Sequence, residues 1–354
     1  MAEHRIAVVG GDGIGPEVAR EGVRCLRALA EIGGFSLRFE DLPYGSEHYL
    51  ETGEFLPDDV FESFKTDFGA IYLGAIGDPR VEPGLVERQI IARIRFDLDL
   101  FVNYRPINLF AEHLCPLKDR GPEDIDMVVI RENTEDAYTG LGGIFKKGTP
   151  DEVAIAEMIY TRKGVERVVR YAFETASRTP RFKRVTLVDK ANAIRAQDIW
   201  TRTFAEVATE FPDIETDHAY VDAACMWMIK NPDAFDVMVV PNLFGDIVTD
   251  LGAMIQGGMG IAASGNLHPG RVSMFEPIHG SAPKYKGQNR ANPLAAIAAG
   301  QLMLDHFGEH DAAARLEGAI RRVLSERRLP SLDARSGFGT DRIGDLVLEA
   351  IEEE

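Results

Sequence analysis

Residues 6–16 read IAVVGGDGIGP, an apolar run followed by a glycine-rich turn and a proline. The four apolar residues are typical of a buried strand, and Pro16 suits the first turn of a helix, where its missing N–H costs little. Apolar residues at helical spacing then run from Val18 to Ile32. The segment therefore predicts a strand, a tight turn and a helix, the opening unit of an α/β fold.

The same alternation of strands and helices continues along the chain. Further apolar runs predict buried strands at residues 70–73, 127–130, 185–188 and 237–240, and amphipathic helices are predicted at 163–175 and 199–210. This order favours an α/β protein with a largely parallel sheet. The length of 354 residues favours two domains rather than one.

Composition disfavours several classes of function. The chain is 45% hydrophobic and 27% charged, which is typical of a folded protein. Its formal net charge of −18, without any basic stretch, argues against a nucleic-acid partner. No apolar run is long enough for a membrane span, no signal peptide is visible, and the three cysteines are too scattered for a disulfide framework. We therefore expect a cytoplasmic protein without a nucleic-acid or membrane partner.

Two loops are rich in glycine and proline. In the first, a G-x-G-x-x-G pattern begun by Gly11 and Gly13 would need a third glycine at position 16, which is Pro16. A standard Rossmann fold is therefore disfavoured, and this loop by itself indicates only a tight turn. The second loop is predicted at residues 276–283, where small residues would let a ligand approach the backbone. A purely structural loop is the alternative.

Three arginines lie close to the ends of apolar segments. Arg95 and Arg105 flank residues 96–104, and Arg131 follows the strand predicted at 127–130. Arginine binds carboxylates through two parallel hydrogen bonds, so the three together are suited to a di- or tricarboxylate. An isolated arginine is more often the partner in a surface salt bridge, and that alternative stays open.

Two aspartates, Asp246 and Asp250, are four residues apart and share one face if their segment is helical. Their like charges favour a cation between them, and oxygen ligands without His or Cys indicate Mg²⁺ or Mn²⁺. Alternatively, Asp246 belongs to the N-terminal cap or first turn of the helix. Asp222 is a further acid in an apolar stretch, where a buried carboxylate needs a partner.

Six short segments, in this order, resemble the β-decarboxylating dehydrogenases, the family of isopropylmalate, isocitrate, homoisocitrate and tartrate dehydrogenases. They are GDGIGPE at 11–17, NYRP at 103–106, RENTE at 131–135, KAN at 190–192, NLFGDI at 242–247 and HGSAP at 279–283. The resemblance implies an α/β fold with a mixed, largely parallel sheet that is not a Rossmann fold. It also implies a discontinuous first, cofactor-binding domain of residues 1–100 and 256–354, and a second, dimerising domain of residues 101–255.

The resemblance implies a shared site for a substrate and a metal. The family's clamp for a hydroxy-dicarboxylate substrate matches three arginines, Arg95, Arg105 and Arg131. The ligands of its Mg²⁺ or Mn²⁺ match three aspartates, Asp222, Asp246 and Asp250. Asp222, which also borders the substrate, is expected to come from the partner subunit of a homodimer.

The catalytic pair of the family matches Tyr138 and Lys190. Lys190 is expected to reach the partner's active site and to help remove the substrate's hydroxyl proton while hydride passes to the nicotinamide. After loss of CO₂, Tyr138 is expected to protonate the carbon that remains. A non-catalytic regulatory subunit, the alternative from another class, tends to lose these side chains.

Substrate choice within the family depends on the helix before Arg95. Isocitrate enzymes have Ser and Asn there, whereas this chain has isoleucines, Ile90, Ile91 and Ile94. An apolar pocket for a branched alkyl group, with Ile91 as its lining residue, favours the isopropylmalate branch and hence leucine biosynthesis. The isocitrate, homoisocitrate and tartrate branches are the alternatives. The helical spacing also indicates that at least one isoleucine belongs to the core.

The cofactor contacts implied by the resemblance are Ile14, His279, Gly280, Ser281, Ala282, Pro283, Lys284, Tyr285 and Asn292. Lys284 and Tyr285 resemble the NADP-using isocitrate enzymes, in which a cation meets the 2′-phosphate. Ala291, in contrast, resembles the NAD pattern. Because the favoured substrate branch uses NAD, we expect NAD, with NADP as the alternative.

Overall fold

The computed structural model describes residues 3–334 and 336–353. The strands in this part of the chain are β1 Glu3–Gly11, β2 Ser36–Leu42, β3 Ala70–Ala75, β4 Val102–Asn108, β5 Asp126–Glu132, β6 Gly142–Phe145, β7 Val153–Ala156, β8 Arg184–Asp189, β9 Glu215–Tyr220, β10 Val237–Val240, β11 Ala263–Leu267 and β12 Ser273–Pro277.

The helices in the same ranges are α1 Gly15–Gly33, α2 Ser46–Thr52, α3 Asp58–Thr66, α4 Leu85–Glu87, α5 Arg93–Asp97, α6 Arg162–Arg178, α7 Asp198–Ala208, α8 Val221–Lys230, α9 Asn242–Ile255, α10 Leu294–His306, α11 His310–Ser325 and α12 Thr340–Glu352. A π-helical turn, Arg88–Ala92, joins α4 to α5. None of the described helices is both long and apolar enough to cross a bilayer.

Ten strands form one continuous sheet in the order β2-β1-β3-β12-β11-β4-β5-β10-β8-β9. The pairings within the block β2-β1-β3-β12 are parallel, and so are those within the block β5-β10-β8-β9. The three pairings between the blocks, through β11 and β4, are antiparallel. The two blocks therefore run in opposite directions, which confirms a mixed, largely parallel sheet and differs from a Rossmann fold.

The elements predicted from apolar patterns are confirmed. All five apolar runs lie in strands, namely β1, β3, β5, β8 and β10, and the predicted helices correspond to α1, α6 and α7. Helix α1 has Pro16 in its first turn and ends before Gly34, which is left-handed at φ 69°. Ile32 is the exception on α1. It is 48% exposed, because the last turn of the helix, residues 31–34, is exposed as a whole.

Helices cover both faces of the sheet. On one face, α1, α6, α7, α10, α11 and α12 enclose a core with side chains such as Tyr72 and Val128. On the other face, α3 to α5 pack over the first block, and α8 and α9 pack over the second. Helices α5 and α9 thus lie on the same face of the sheet, and both carry residues of the candidate site.

A two-stranded hairpin lies outside the main sheet. Strands β6 and β7 pair with each other in antiparallel orientation, and every residue of both strands is exposed. We call residues 142–156 the β6–β7 arm. Its exposed side chains include four large apolar residues, Ile144, Phe145, Val153 and Ile155. An apolar hairpin of this kind favours a further interaction that covers it.

The last residue of β5, Glu132, is a buried acid. It is 1% exposed, and its carboxyl group accepts hydrogen bonds from the N–H groups of Thr134 and Glu135 and from the Thr134 hydroxyl. Burial opposes the charged form more strongly than these bonds favour it. The pKa of Glu132 is consequently raised to about 7.

We expect Glu132 to make the stability of the protein depend on pH. With its raised pKa, the folded state retains a proton that the unfolded state releases, so the stabilising contribution is complete below about pH 4.5. The contribution is lost as the pH rises to about 7, a total of about 3 kcal/mol. Glu132→Gln should therefore flatten the slope of unfolding free energy against pH, measured by denaturant titration at fixed protein concentration. Glu174→Gln, at an exposed position, should leave the slope unchanged. A wild-type slope in Glu132→Gln would contradict the expectation.

Candidate active site

Three arginines gather on the face of the sheet that carries α5 and α9. Arg105 on β4 and Arg131 on β5 are 5% and 2% exposed, and Arg95 on α5 is partly buried. Burial, together with the charges of Arg131 and Arg95, lowers the pKa of Arg105 to about 9. Each arginine does pair with a carboxylate, Arg95 with Glu276 and the other two with Asp246, but the burial of Arg105 and Arg131 shows that these are not surface salt bridges. The cluster has the composition of a site for a polycarboxylate anion.

Polar side chains of α9, the helix that follows β10, hold two of the arginines in position. Arg105 Nη1 donates to Thr249 Oγ1 at 2.6 Å, and Arg131 Nε donates to Asn242 Oδ1 at 3.0 Å. Arg131 also pairs with Asp246, one turn after Asn242. Thr249 and Asn242 are not among the site residues predicted from the sequence. The available signal was their helical spacing with Asp246, which places them on neighbouring positions of α9.

Arg95 is held by side chains of strands β12 and β11. Its Nη2 donates to Glu276 Oε1 at 2.6 Å, and Asn266 Nδ2 donates to the same oxygen at 2.8 Å. Glu276, together with Pro277, was expected in a loop but ends β12 instead. The physical reason is the antiparallel pairing of β12 with β11, in which Glu276 lies opposite Ser264 and Pro277 opposite Ala263.

Two buried guanidinium nitrogens are left without partners. The Nε atoms of Arg95 and Arg105 are enclosed, and neither makes a hydrogen bond to a described residue. Buried donors are nearly always paired, so an unpaired donor on a cation indicates where an anionic ligand binds. The chain thus supplies partners for part of each guanidinium and leaves the remainder for a ligand.

Close packing of α9 against Arg131 depends on Gly245. A Cβ atom at this position would lie 2.5 Å from Arg131 Cγ. The absence of a side chain therefore lets the buried arginine pass beside the helix. Gly252, two turns later on α9, has a similar role against a core residue, since a Cβ there would lie 2.2 Å from Ile107 Cδ1.

Asp246 and Asp250 project from α9 beside the arginines. The helix begins at Asn242 and has no acid in its first turn, so the expectation that Asp246 caps it is wrong. Burial opposes ionisation of Asp246, but Arg131 and Arg105 outweigh it and lower the pKa of Asp246. Burial and the charge of Asp246 raise the pKa of Asp250. The two like charges interact, and their oxygens suit a divalent cation.

The phenol of Tyr138 adjoins this group. Its hydroxyl donates to Asp246 Oδ2 at 3.0 Å, and the Arg131 guanidinium lies 5.4 Å from the ring centre. Partial burial and the negative charge of Asp246 raise the pKa of Tyr138. The phenol therefore stays protonated at neutral pH and is able to donate a proton.

Lys190 and Asp222 form a separate group. Lys190 Nζ donates to Asp222 Oδ1 at 2.5 Å. Asp222 was expected to be buried, but its side chain is 65% exposed because it lies on the solvent side of α8, whose Val221 and Ala224 face the core. No hydrogen bond or ion pair between described residues joins this pair to Asp246. Likewise, no three His, Cys, Asp or Glu side chains cluster in the described parts of one chain as a metal site would need.

The expected cofactor residues lie around the glycine-rich turn. Ile14 N donates to Ser281 O at 2.8 Å, and Ser281 Oγ donates to Gly77 O at 2.5 Å. Gly13 permits this approach, because a Cβ there would lie 2.0 Å from Ser281 O and its φ is 58°. The buried Nε2 of His279 has no partner among the described residues. A ligand with polar groups therefore fits this loop.

The remaining expected cofactor residues differ in character. A Cβ at Gly280 would meet no atom within 4 Å, so this part of the loop is open. Lys284 Nζ lies 4.7 Å from the centre of the Tyr285 ring, and Lys284 pairs with no carboxylate in the described ranges. Asn292 has a structural bond, since its Oδ1 accepts from Leu294 N at 3.0 Å at the start of α10.

The isoleucines before Arg95 are distinguished by burial. Ile90 and Ile94 are fully buried core residues, whereas Ile91 is only partly buried. Ile91 lies in the π-helical turn Arg88–Ala92. Single π-helical turns occur frequently at functional sites, because they redirect side chains without ending the helix.

Comparison with known proteins identifies the family of the chain. A sequence profile of the isocitrate/isopropylmalate dehydrogenase family matches residues 5–347. The 3-isopropylmalate dehydrogenase of Thermobifida fusca is 46% identical over 99% of this chain and 98% of its own. The enzyme of the same name from Frankia casuarinae is 49% identical over 91% of this chain and 93% of its own.

Solved structures show the same architecture. Isocitrate dehydrogenase from Methylococcus capsulatus superposes with a TM-score of 0.87 at 35% identity, covering 98% of this chain and 99% of that chain. A β-decarboxylating dehydrogenase from Thermococcus kodakarensis superposes with a TM-score of 0.79 at 32% identity, covering 99% of this chain and 96% of that chain. Fold and site together define an oxidoreductase of the decarboxylating dehydrogenase class. The chain belongs to the isocitrate/isopropylmalate dehydrogenase family.

We expect Gly245→Ala to weaken substrate binding selectively. The added methyl group displaces Arg131 and disturbs its contact with a carboxylate, while alanine favours the helix itself. Losing one charge-assisted hydrogen bond of about 1.5–3 kcal/mol raises KM roughly 10- to 100-fold. Steady-state kinetics with the preferred substrate measure this change.

Gly252→Ala is the matched control on the same helix. Its methyl group meets Ile107 rather than an arginine. It should lower the melting temperature and leave KM within about twofold of wild type, because the arginines keep their positions. Equal KM values for the two variants would show that Gly245 does not position Arg131.

Proposed function

We propose that the protein catalyses the oxidative decarboxylation of 3-isopropylmalate, a step in leucine biosynthesis, with a nicotinamide cofactor and Mg²⁺ or Mn²⁺. The buried arginine cluster with two unpaired Nε atoms, beside Asp246 and Asp250, is the observation that carries this proposal. It supports a substrate with at least two carboxylates next to a divalent cation. The named relatives point to the same substrate.

The substrate's carboxylates would bind the three arginines, Arg95, Arg105 and Arg131. Its hydroxyl would lie beside Asp246 and Asp250 of one subunit and Asp222 of the other, which together would hold the metal. When bound, Mg²⁺ or Mn²⁺ supplies positive charge that stabilises the enolate formed by loss of CO₂. The position of Ile91, before Arg95 on the π-helical turn, supports contact with the isopropyl group.

Two side chains would move protons. Lys190, as the neutral amine, would help to accept the hydroxyl proton as hydride leaves the substrate, and its hydrogen bond to Asp222 would hold Nζ in position. Tyr138 would give its phenolic proton to the carbon left by CO₂. The raised pKa of Tyr138 supports this role, because the phenol is protonated before that step.

We propose that the protein is a homodimer in which each active site uses both chains. The separation of Lys190 and Asp222 from the arginine cluster supports this, as does the lack of a three-ligand cluster within the described part of one chain. Exposed apolar side chains are available for an interface on the β6–β7 arm, on α8 and on α9. On the two helices they are Met226, Trp227, Ile229, Ile247 and Met254.

A division into two domains, residues 1–100 with 256–354 and residues 101–255, remains part of this proposal. The sheet supports it. Every strand of the first block lies in residues 1–100 or 256–354, and every strand of the second block lies in residues 101–255. Strand β4 carries the chain into the second block, and β11 carries it back. A hinge between the blocks would let the site close on its substrate.

We propose NAD as the cofactor, on the ground of the favoured substrate branch, although Lys284 provides a cation suited to a 2′-phosphate. Lys284 has no carboxylate partner in the described ranges, whereas Lys286 pairs with Glu47 at 2.5 Å. The isocitrate, homoisocitrate and tartrate reactions are alternatives within the family. A regulatory subunit is disfavoured by the presence of Tyr138, Lys190 and all three aspartates.

A substrate panel tests the proposed reaction. We expect turnover to be fastest with 3-isopropylmalate, to stop when EDTA removes the metal, and to return with Mg²⁺ or Mn²⁺. Ile91→Ser should lower kcat/KM for isopropylmalate, which corresponds to an activation free energy higher by about 1–3 kcal/mol. The value for unsubstituted malate should change much less, because only the alkyl contact is lost. Ile32→Ser, at an exposed position, is the control. Faster turnover of isocitrate or tartrate by the wild type would refute the substrate assignment.

Cofactor choice has its own prediction. We expect the wild type to prefer NAD and to retain activity with NADP that depends on Lys284. Lys284→Ala should lower kcat/KM for NADP at least about tenfold through loss of one charge-assisted contact, and change the value for NAD little. Lys286→Ala is the matched control, because Lys286 already has a carboxylate partner. Equal losses with both cofactors would show that Lys284 does not read the 2′-position.

Complementation between two inactive variants tests the shared site. Lys190→Met and Arg105→Met homodimers should both be nearly inactive. Mixed heterodimers should regain about one competent site, formed by Arg105 of one chain and Lys190 of the other. If isolated heterodimers stay inactive, Lys190 does not serve the partner's site.

A further inference from the structure

A chain of hydrogen bonds links Lys190 to the turn that carries Tyr138. Lys190 N donates to Gln197 Oε1 at 2.6 Å, and Gln197 Nε2 donates to the Tyr160 hydroxyl at 2.8 Å. That hydroxyl donates to Asp136 Oδ1 at 2.9 Å. Asp136 is the first residue of the 3₁₀ turn Asp136–Thr139. We call these three side chains, Asp136, Tyr160 and Gln197, the relay.

The relay also reaches the helix that carries the expected metal ligands. Asp136 Oδ2 accepts a hydrogen bond from Leu243 N at 3.0 Å, in the first turn of α9. Pro241, which precedes the helix, supplies no side-chain cap. Asp136 therefore satisfies a backbone N–H that the helix leaves free, and its charge is favoured by the helix dipole.

The relay is enclosed and directional. Asp136 and Gln197 are fully buried, and no Lys, Arg or His pairs with Asp136 in the described residues. Every donor points from Lys190 towards the Asp136 carboxylate. The amide of Gln197 accepts at one end and donates at the other, so neither a hydrocarbon nor a carboxylate is equivalent there. Burial raises the pKa of Tyr160, which keeps its hydroxyl protonated as a donor.

The backbone of Asp136 has an unusual conformation. Its φ is 69°, in the left-handed region that favours glycine. A side chain at this position costs conformational energy, so its contacts must offset the strain. Those contacts are the bonds from Ala137 N, Leu243 N and Tyr160 described here.

We propose that Asp136, Tyr160 and Gln197 are positioning residues that fix the Lys190 backbone relative to Tyr138 and α9. The proposal rests on the proposed function, in which Lys190 serves one active site of the dimer and Tyr138 serves the other. The relay therefore connects the two active sites through the interior of each subunit. Interrupting the relay at Tyr160 or Gln197 disturbs both proton-moving groups, whereas Asp136 keeps its bond to Leu243 N and the arginine cluster keeps its partners on α9.

Two relay variants test the proposal in the homodimer. Tyr160→Phe removes the hydroxyl but keeps the ring, which packs edge-on against Trp200 at 6.4 Å. Gln197→Glu keeps an acceptor for Lys190 N and removes the donor to Tyr160. Each should lower kcat about tenfold with KM changed less than twofold. Tyr171→Phe is the matched control and should keep wild-type kcat, because Tyr171 is a buried tyrosine of α6 that shares no hydrogen bond with the three relay residues.

A heterodimer with a single working site separates the two ends of the relay. One chain carries Arg105→Met and supplies Lys190, and the other carries Lys190→Met and supplies Arg105 and Tyr138. Tyr160→Phe is then added to one chain at a time, and thermal unfolding confirms that each heterodimer is folded. The proposal expects kcat to fall in both cases, through Lys190 in the first and through Tyr138 in the second.

Three results would overturn the proposal. They are a fall in kcat from only one of the two chains, a change confined to KM, and losses no larger than those of Tyr171→Phe. If Tyr160→Phe does not fold, Gln197→Glu decides by the same criteria. An inactive parent heterodimer, without any relay substitution, would refute the shared active site itself and the relay's role with it. That failure is recognised before Tyr160→Phe is introduced.

Discussion

The positive charge of Arg95, Arg105 and Arg131 has to be accommodated in a largely buried place, and much of the surrounding structure serves that requirement. A buried cation is costly unless hydrogen-bonded and paired. Partners come from both sides of the sheet's centre, with Glu276 on β12, itself bonded by Asn266 on β11, and with Asp246, Asn242 and Thr249 on α9. Pairing is incomplete, since two buried Nε atoms have no partner among the described residues. Because the pairing is incomplete, the site favours an anionic ligand. A bound polycarboxylate would supply the hydrogen-bond acceptors that the arginines lack.

Part of the fold was predictable from the sequence because strands buried on both faces read as continuous apolar runs. Strands β1, β3, β5, β8 and β10 have that signature. Strands β4 and β11, in contrast, contain Asn103, Arg105, Pro106 and Asn266, and no local pattern marks them as strands. They form because β4 and β11, which are far apart in the chain, pair with each other, and each also pairs with the strand that follows it, β5 and β12. The reversal of direction between the two blocks depends on the same long-range pairing, so only the resemblance to a family anticipated a mixed sheet.

The site shows the same division between local and distant information. Spacing along one helix predicted that Asp246 and Asp250 share a face, and α9 has them there. Contacts across the fold were not predictable in this way. Thr249 holds Arg105 from a position 144 residues later, and Asp136 bonds to Leu243 from 107 residues earlier. Burial also distinguishes the partly exposed Ile91 from the core residues Ile90 and Ile94, although all three lie within one short stretch of the sequence. The roles of the site residues in catalysis stay predictions.

The β6–β7 arm has a consequence for how much enzyme a cell obtains from a given rate of synthesis. A subunit that has folded but not yet met a partner displays four large apolar side chains on this hairpin. With the arm at the proposed interface, dimerisation removes such subunits at a rate that depends on the square of their concentration. Proteolysis removes them at a rate that is proportional to their concentration. At low synthesis rates degradation therefore takes a larger share, and the amount of active enzyme falls more steeply than the amount of chain made.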